Sequence, residues 1–161
     1  MTTVALLLGA NMGDVHSTLE SVREALQCEV GAIVASSEVM RSEAWGFEAP
    51  DFLNQALLIT TSLEPLALLD ATQRIEERWG RERECEQRAK AESGAKYLSR
   101  SIDIDIILYG DQRVECERLT VPHPLMGERE FVLRPLAQVA SEIVHPVSGR
   151  SIEEMLKDLS N

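Results

Sequence analysis

Two aspartates, Asp103 and Asp105, stand two residues apart in the run Arg100-Ser101-Ile102-Asp103-Ile104-Asp105-Ile106-Ile107-Leu108-Tyr109. The run alternates as a β-strand does. Ile102, Ile104, Ile106 and Leu108 fall on one face, and Ser101, Asp103, Asp105 and Ile107 on the other. At a rise of about 3.3 Å per residue, the two Asp Cα atoms lie roughly 6–7 Å apart on one side. Carboxylates held that close repel one another unless a cation lies between them. Mg²⁺ is the natural choice, because it takes oxygen ligands and completes its shell with water and substrate phosphates. An ordinary solvent-facing strand with salt-bridged acids is the competing reading.

Other residues bear on that choice. Residues 74–100 hold Arg74, Arg78, Arg81, Arg83, Arg88, Lys90, Lys96 and Arg100, 8 of the chain's 16 basic residues. Together with six Glu, they give this stretch a net charge of +2 in a chain whose net charge is −11. A basic island running into two Asp suits a local polyanion site, although charge runs are commonly just solvated helix ends and loops. His123 lies between Pro122 and Pro124, which limits its freedom. Asn54 sits in an apolar run and must spend its amide on backbone or a ligand. Gln73 and Glu76 are helical neighbours three apart, and simple solvation accounts for such a pair. Trp45 and Phe47 lie in a breaker-containing loop, as core plugs or as part of a ligand lid.

The elements that must position these residues are legible in outline. Val4–Leu8 reads as a buried strand ending in a turn at Gly9–Asp14. That turn is not a dinucleotide fingerprint, and the chain has no GxxxxGK[ST] phosphate loop. A helix follows, with Ser17 as N-cap and Glu20 completing a capping box. Residues 30–40 read as a second strand and Phe52–Thr61 as a third. Pro65 opens a helix to Trp79 that Gly80 stops. Glu84–Ser99 reads as a polar loop. Gly110-Asp111 marks a hairpin returning Gln112–Cys116 alongside the Asp strand. Val132–Ala140 is expected as a helix re-initiated at Pro135, and Ser151 with Glu154 caps a last helix. A mostly antiparallel sheet with packed helices is the expected α+β architecture, in one domain over residues 1–161.

Composition narrows the function classes. The chain is 44% hydrophobic and 27% charged, with no apolar run of membrane-spanning length and no basic leader at its start. Its acidity argues against nucleic acid or an acidic membrane as the main partner. Cys28, Cys85 and Cys116 are odd in number and outside any CxxC pattern, so free thiols and a cytoplasmic location are expected.

Several stretches, in order, are similar to one family. They are Leu8-Gly9-Ala10-Asn11-Met12-Gly13-Asp14, Phe52-Leu53-Asn54-Gln55-Ala56, Thr72-Gln73-Arg74-Ile75-Glu76, Gly80-Arg81-Glu82-Arg83, Arg100 to Ile106, and Leu119-Thr120-Val121-Pro122-His123-Pro124. Arg129 and Phe131 follow at the expected interval. On these pieces the chain resembles the 6-hydroxymethyl-7,8-dihydropterin pyrophosphokinases of folate biosynthesis. The resemblance implies a ferredoxin-like fold and transfer of pyrophosphate from ATP to the pterin hydroxymethyl group, with release of AMP. It implies that Asp103 and Asp105 hold two Mg²⁺ ions, and that Arg81, Arg83 and Arg100 serve catalysis. Gln73, Glu76, Lys96, His123 and Arg129 would serve ATP. Phe52 and Phe131 would sandwich the pterin, with Asn54, Ser42 and Trp45 beside it. Where many members carry Arg-Trp-Gly-Pro, this chain has Lys96-Tyr97-Leu98-Ser99. Segments 42–51 and 84–99 are expected to act as lids, and the protein to be a monomer.

Two other readings belong to different classes. A Mg²⁺-dependent phosphoesterase or nucleotidyl hydrolase would use the acids and arginines, but leaves Phe52, Asn54 and Phe131 without a task. A non-catalytic ferredoxin-like binding module would bind ligands and never form AMP.

Overall fold

A computed structural model describes residues 1–42, 51–79 and 102–160 of the chain. The expected loop and basic-island residues Trp45, Phe47, Arg81, Arg83, Lys96 and Arg100, and the Glu84–Ser99 segment, lie outside the described residues.

The element order is β1 (Thr2–Ala10), α1 (Val15–Glu29), β2 (Gly31–Ser36), β3 (Met40–Ser42), β4 (Phe52–Thr61), α2 (Pro65–Arg78), β5 (Asp103–Tyr109), β6 (Val114–Glu115), β7 (Thr120–Val121), α3 (Glu130–Ala140) and α4 (Ile152–Ser160). The main sheet runs β2-β4-β1-β5, with β3 also on β4 and every described pairing antiparallel. A βαββαβ order with the first and third long strands central is the ferredoxin-like arrangement expected from sequence. The apolar run of β1 explains its central place, since every residue from Val4 to Ala10 is buried.

Strand alternation divides the core in two. Val4, Leu6, Leu8, Leu57, Ile59, Ile104 and Ile106 face α1 and α2, meeting Leu19, Val22, Leu26, Leu68 and Ile75. Ala5, Leu7, Ala56, Leu58, Ile107 and Leu108 face α3 and α4, meeting Val132, Leu133, Leu136 and Ile152. Leu108 therefore does not share a face with Ile102, Ile104 and Ile106 as strict alternation requires. The β1–β5 register shifts between Ala5 and Leu6, so that Leu6 pairs with Ile106 and Ala5 with Leu108. This β-bulge inserts Ile107 and reverses the phase beyond it.

Other boundaries move for local reasons. The cap of α1 is Asp14, one turn before Ser17. Its side chain accepts from the Ser17 N–H at 3.2 Å, and its carbonyl accepts from the Thr18 N–H at 3.0 Å. The expected strand over 30–40 breaks at Ser37, whose hydroxyl accepts from the Ala56 N–H at 2.9 Å and donates to the Glu38 carbonyl at 2.8 Å. Helix α3 starts at Glu130, because the Arg129 carbonyl already accepts from the Leu133 N–H at 3.1 Å, and Pro135 lies within the helix. β6 pairs with β7 in its own small sheet and not with β5. The reason is that the outer edge of β5 has other partners, described below. The last helix keeps its capping box: Glu154 N–H donates to Ser151 Oγ at 3.1 Å and Ser151 N–H to Glu154 Oε1 at 3.3 Å.

The cap assignment has a measurable consequence. Asp14→Ala should cost about 1 kcal/mol in chemical denaturation, and Ser17→Ala only a few tenths. Equal losses would return the cap to Ser17.

Candidate active site at the open end of one sheet face

The site residues on strands are brought together by register. On the face that α3 and α4 cover, the row Leu58–Ala5–Leu108 is followed by Ala56–Leu7–Asp105 and then by Asn54–Gly9–Asp103. Ser42 pairs with Phe52, and Met40 with Asn54, on the same face. The apolar cluster under α3 and α4 takes in the first of these rows and reaches Leu7 and Ala56 of the second. Beyond it, Asp103, Phe52, Asn54 and Ser42 form the far end of the face. Sheet neighbours lie about 4.8 Å apart, so the Asn54 and Asp103 Cα atoms are separated by roughly 10 Å across Gly9.

Gly9 is the piece that sequence reading undervalued. A Cβ there would sit 3.1 Å from Asn54 Oδ1, so the amide lies over the glycine. A glycine inside a strand is the available signal, since it marks close approach. Asn54 is 4% exposed. Its Nδ2 donates to Ser42 Oγ at 2.7 Å and, at 3.5 Å, to the Met40 carbonyl. This sets the amide with its N–H groups toward β3 and its oxygen toward Gly9.

Behind this row a polar chain fixes the strands. Arg23 Nη1 donates to Gln55 Oε1 at 2.6 Å, and Gln55 Nε2 donates to the Ser37 carbonyl at 2.7 Å. The bend between β2 and β3, and with it Ser42, is thereby tied to α1.

On the other side of the row stand the titratable groups. Asp103 and Asp105 are half-buried. His123 reaches the same edge because its backbone N–H donates to the Ile107 carbonyl at 2.9 Å. Its Nδ1 accepts from the Leu125 N–H at 3.3 Å, which leaves the proton of the neutral ring on Nε2. Burial, and then the charge of Arg129, push the His123 pKa below its ordinary value, with Asp103 opposing. Arg129 lies over the Phe131 ring, 5.6 Å from its centroid. Phe131 is on the first turn of α3 and packs at the margin of the apolar cluster.

Glu76 corrects the solvation reading of the Gln73–Glu76 pair. Glu76 is 2% exposed, and its Oε2 accepts from the Ile104 N–H at 2.8 Å. Gln73 is half-buried one turn earlier. Arg78, from the basic island, instead bonds Glu29 at 2.6 Å and stacks over Trp79, which is the structural use of that charge.

The described donor set fits Mg²⁺. Asp103 and Asp105 offer oxygen ligands on one face, and among the described residues no group of three or more His, Cys, Asp and Glu is placed to cage a metal. Mg²⁺ binds through one or two carboxylates and takes its other ligands from water and phosphate. A cavity of about 400 Å³ lined by Asn11, Gly13, Val15, Arg41, Asp51 and Leu53 lies elsewhere, since Arg41 and Leu53 point to the opposite face from Asn54.

A ferredoxin-like sheet with paired carboxylates, an imidazole and a guanidinium near the open end of one face suits an enzyme acting on phosphate chains. Comparison with known proteins names the family. The sequence model of 7,8-dihydro-6-hydroxymethylpterin-pyrophosphokinase (HPPK) matches residues 5–141, and the chain belongs to this family. It is 40% identical over 148 residues to the 2-amino-4-hydroxy-6-hydroxymethyldihydropteridine pyrophosphokinase of Porphyromonas gingivalis, covering 91% of this chain and 95% of that one. It is 36% identical over 163 residues to the enzyme of the same name from Haemophilus influenzae, covering 100% and 95%. Among solved structures, an HPPK-DHPS in complex with substrates superposes with a TM-score of 0.74 at 15% identity, over 98% of this chain and 43% of that chain. The HPPK-DHPS of Plasmodium falciparum with pteroate gives 0.73 at 14% identity, over 98% and 42%. The chain thus spans less than half the length of those structures, and the likeness bears on fold. No described helix is long and apolar enough to cross a membrane.

The His123 environment is open to titration. By NMR its pKa in the free protein should lie below about 6.5 and rise when Mg²⁺ and a non-hydrolysable ATP analogue bind, because phosphate charge favours the imidazolium. An unchanged pKa would remove His123 from the phosphate site. A depressed folded-state pKa also means that stability present above the unfolded value is lost as pH falls through the folded one, and His123→Gln should flatten that part of the curve.

Proposed function

We propose that this protein carries out the reaction for which its family is named. The hydroxymethyl oxygen of 6-hydroxymethyl-7,8-dihydropterin attacks the β-phosphorus of ATP, the bond from that phosphorus to the α-phosphate bridging oxygen breaks, and AMP leaves. The product is the pterin diphosphate of folate biosynthesis. The observation that supports this reading for the chain is the row Asn54–Gly9–Asp103, in which a side-chain amide and a carboxylate share one face.

The residues divide by chemistry. Asn54 turns its Oδ1 toward the Gly9 row to accept from a donor on the pterin edge, while Ser42 holds the amide in orientation. Phe52 and Phe131 take the two faces of the ring, with Trp45 beside them. His123 donates Nε2–H to a phosphate oxygen, and Arg129 and Lys96 add charge there. Gln73 serves the nucleotide side, and the buried Glu76 acts there through the strand it bonds. Arg81, Arg83 and Arg100 meet phosphate oxygens through their planar forks as charge shifts to the leaving AMP. Asp103 and Asp105 would hold two Mg²⁺ ions, which when bound draw charge from the transferring and leaving oxygens. The protein otherwise contributes position and electrostatics rather than a covalent intermediate. It works as a cytoplasmic monomer, a single domain over residues 1–161, with no nucleic-acid or membrane partner.

Incubation with ATP, Mg²⁺ and the pterin should yield AMP in step with pterin diphosphate. ADP, or phosphate released without pterin, would overturn the proposal. Asp103→Ala or Asp105→Ala should lower kcat by on the order of 10²-fold or more, since each removes a charge that acts on the transition state. Their unfolding midpoints should move little, because both side chains are half-exposed. Wild-type kcat in either variant would sink the metal assignment. Ser42→Ala should raise the pterin Kd by about 3–10-fold, the worth of one hydrogen bond that orients the Asn54 amide. An unchanged Kd would free Asn54 from its dependence on Ser42.

A further inference from the structure

We infer that Glu76 is a positioning residue for the two-aspartate strand: its carboxylate takes the place of a neighbouring strand and fixes β5 at the residue between Asp103 and Asp105. The inference rests on the reading of those aspartates as metal-binding.

β5 pairs on one side with β1, and among the described residues no strand pairs with its outer edge. A backbone N–H on such an edge must find a partner or be left unpaired on burial. Ile104 is 5% exposed, and the partner of its N–H is Glu76 Oε2 at 2.8 Å. Ile104 is also the one residue that lies between the two carboxylates. Its side chain points toward α2, and those of Asp103 and Asp105 point to the opposite face. A shift of the Ile104 peptide therefore moves both carboxylates together.

The opposite edge of the sheet carries the same device. On β2 the Ile33 N–H donates to Gln27 Oε1 at 2.9 Å. Gln27 stands third from the end of α1 and Glu76 third from the end of α2. Each side chain thus reaches from the last turn of a helix to the edge strand beyond. At the edge far from the aspartates the cap is an exposed neutral amide. At the aspartate edge it is a buried carboxylate, a stronger acceptor for an N–H. The comparison separates two properties of Glu76. An amide suffices to cap an edge strand, so Gln at this position should keep the strand in place without the charge.

The test compares the wild-type protein with Glu76→Gln and Glu76→Leu. Three quantities are read: hydrogen exchange of the Ile104 amide, the Mn²⁺ concentration that supports binding of α,β-methylene-ATP, and the Mg²⁺ concentration for half-maximal AMP formation. Glu76→Gln should stay within about 3-fold of wild type in all three, while Glu76→Leu should speed Ile104 exchange and raise both metal requirements by about 10-fold or more, the usual scale for a lost support of a metal ligand. Pterin affinity without nucleotide should be the same in all three proteins. Faster Ile104 exchange in Glu76→Leu with an unchanged metal requirement would make the bond merely structural and overturn the inference. So would a Glu76→Gln protein as impaired as Glu76→Leu, which would assign the effect to charge. If Glu76→Leu fails to fold, Glu76→Ser, too short to reach the strand, takes its place, and the Gln arm can still refute the inference by itself. A wild-type protein whose analogue binding needs no metal would instead defeat the reading of Asp103 and Asp105, and the inference with it.

Discussion

Backbone bonds along the outer edge of β5 hold the candidate site together. A strand at a sheet edge has unpaired N–H and C=O groups, which must be bonded when they are buried. Here the Ile104 N–H goes to Glu76 on α2, and the Ile107 carbonyl accepts from His123. The first bond ties the helix carrying Gln73 to the strand carrying both aspartates. The second brings a proline-flanked loop, with its imidazole, to the same strand. These two contacts also explain why β6 turns away to pair with β7. The edge that a hairpin would have used is already engaged.

The chemistry of the site follows from which part of a face remains uncovered. The helices α3 and α4 bury apolar side chains of β1, β4 and β5 and stop short of the row with Asn54, Gly9 and Asp103. Gly9 leaves this row low in the middle, with a polar amide on one flank and a carboxylate on the other. Two carboxylates on one strand face are oxygen ligands of the kind Mg²⁺ takes, which is the use proposed for them above. On the opposite face, Leu8, Ile104 and Ile106 are sealed against α1 and α2, and the cavity beside Arg41 and Leu53 lies on that face away from Asp103 and Asp105.

Charge placement separates structural from functional uses of the same residue types. The sequence shows a basic island from Arg74 to Arg100, yet Arg78 bonds Glu29 and stacks on Trp79, closing the ends of α1 and α2. Arg23 is spent on Gln55, and through it on the bend at Ser37. Arg129 stays near the site, beside His123 and over Phe131. Type and proximity in sequence do not distinguish these three arginines. The acceptors they meet come from other elements.

The sequence by itself determined most of the long strands and helices, the face on which Asp103 and Asp105 lie, and the family resemblance. Periodicity, β-branched content and capping residues are local properties, and the ordered motifs are read directly. Phe52–Thr61 and the Ser151–Glu154 box are legible for that reason. Tertiary structure decided what depends on partners far along the chain. The bulge at Ile107, which carries Leu108 to the other face, arises from pairing with β1. The burial of Glu76 arises from its bond 28 residues away at Ile104. The row joining Asn54, Gly9 and Asp103 exists only through the register of three strands. A helical Glu next to a Gln looks solvated until the strand it must cap is placed beside it, because a hydrogen bond is a property of two positions and the sequence states only one at a time.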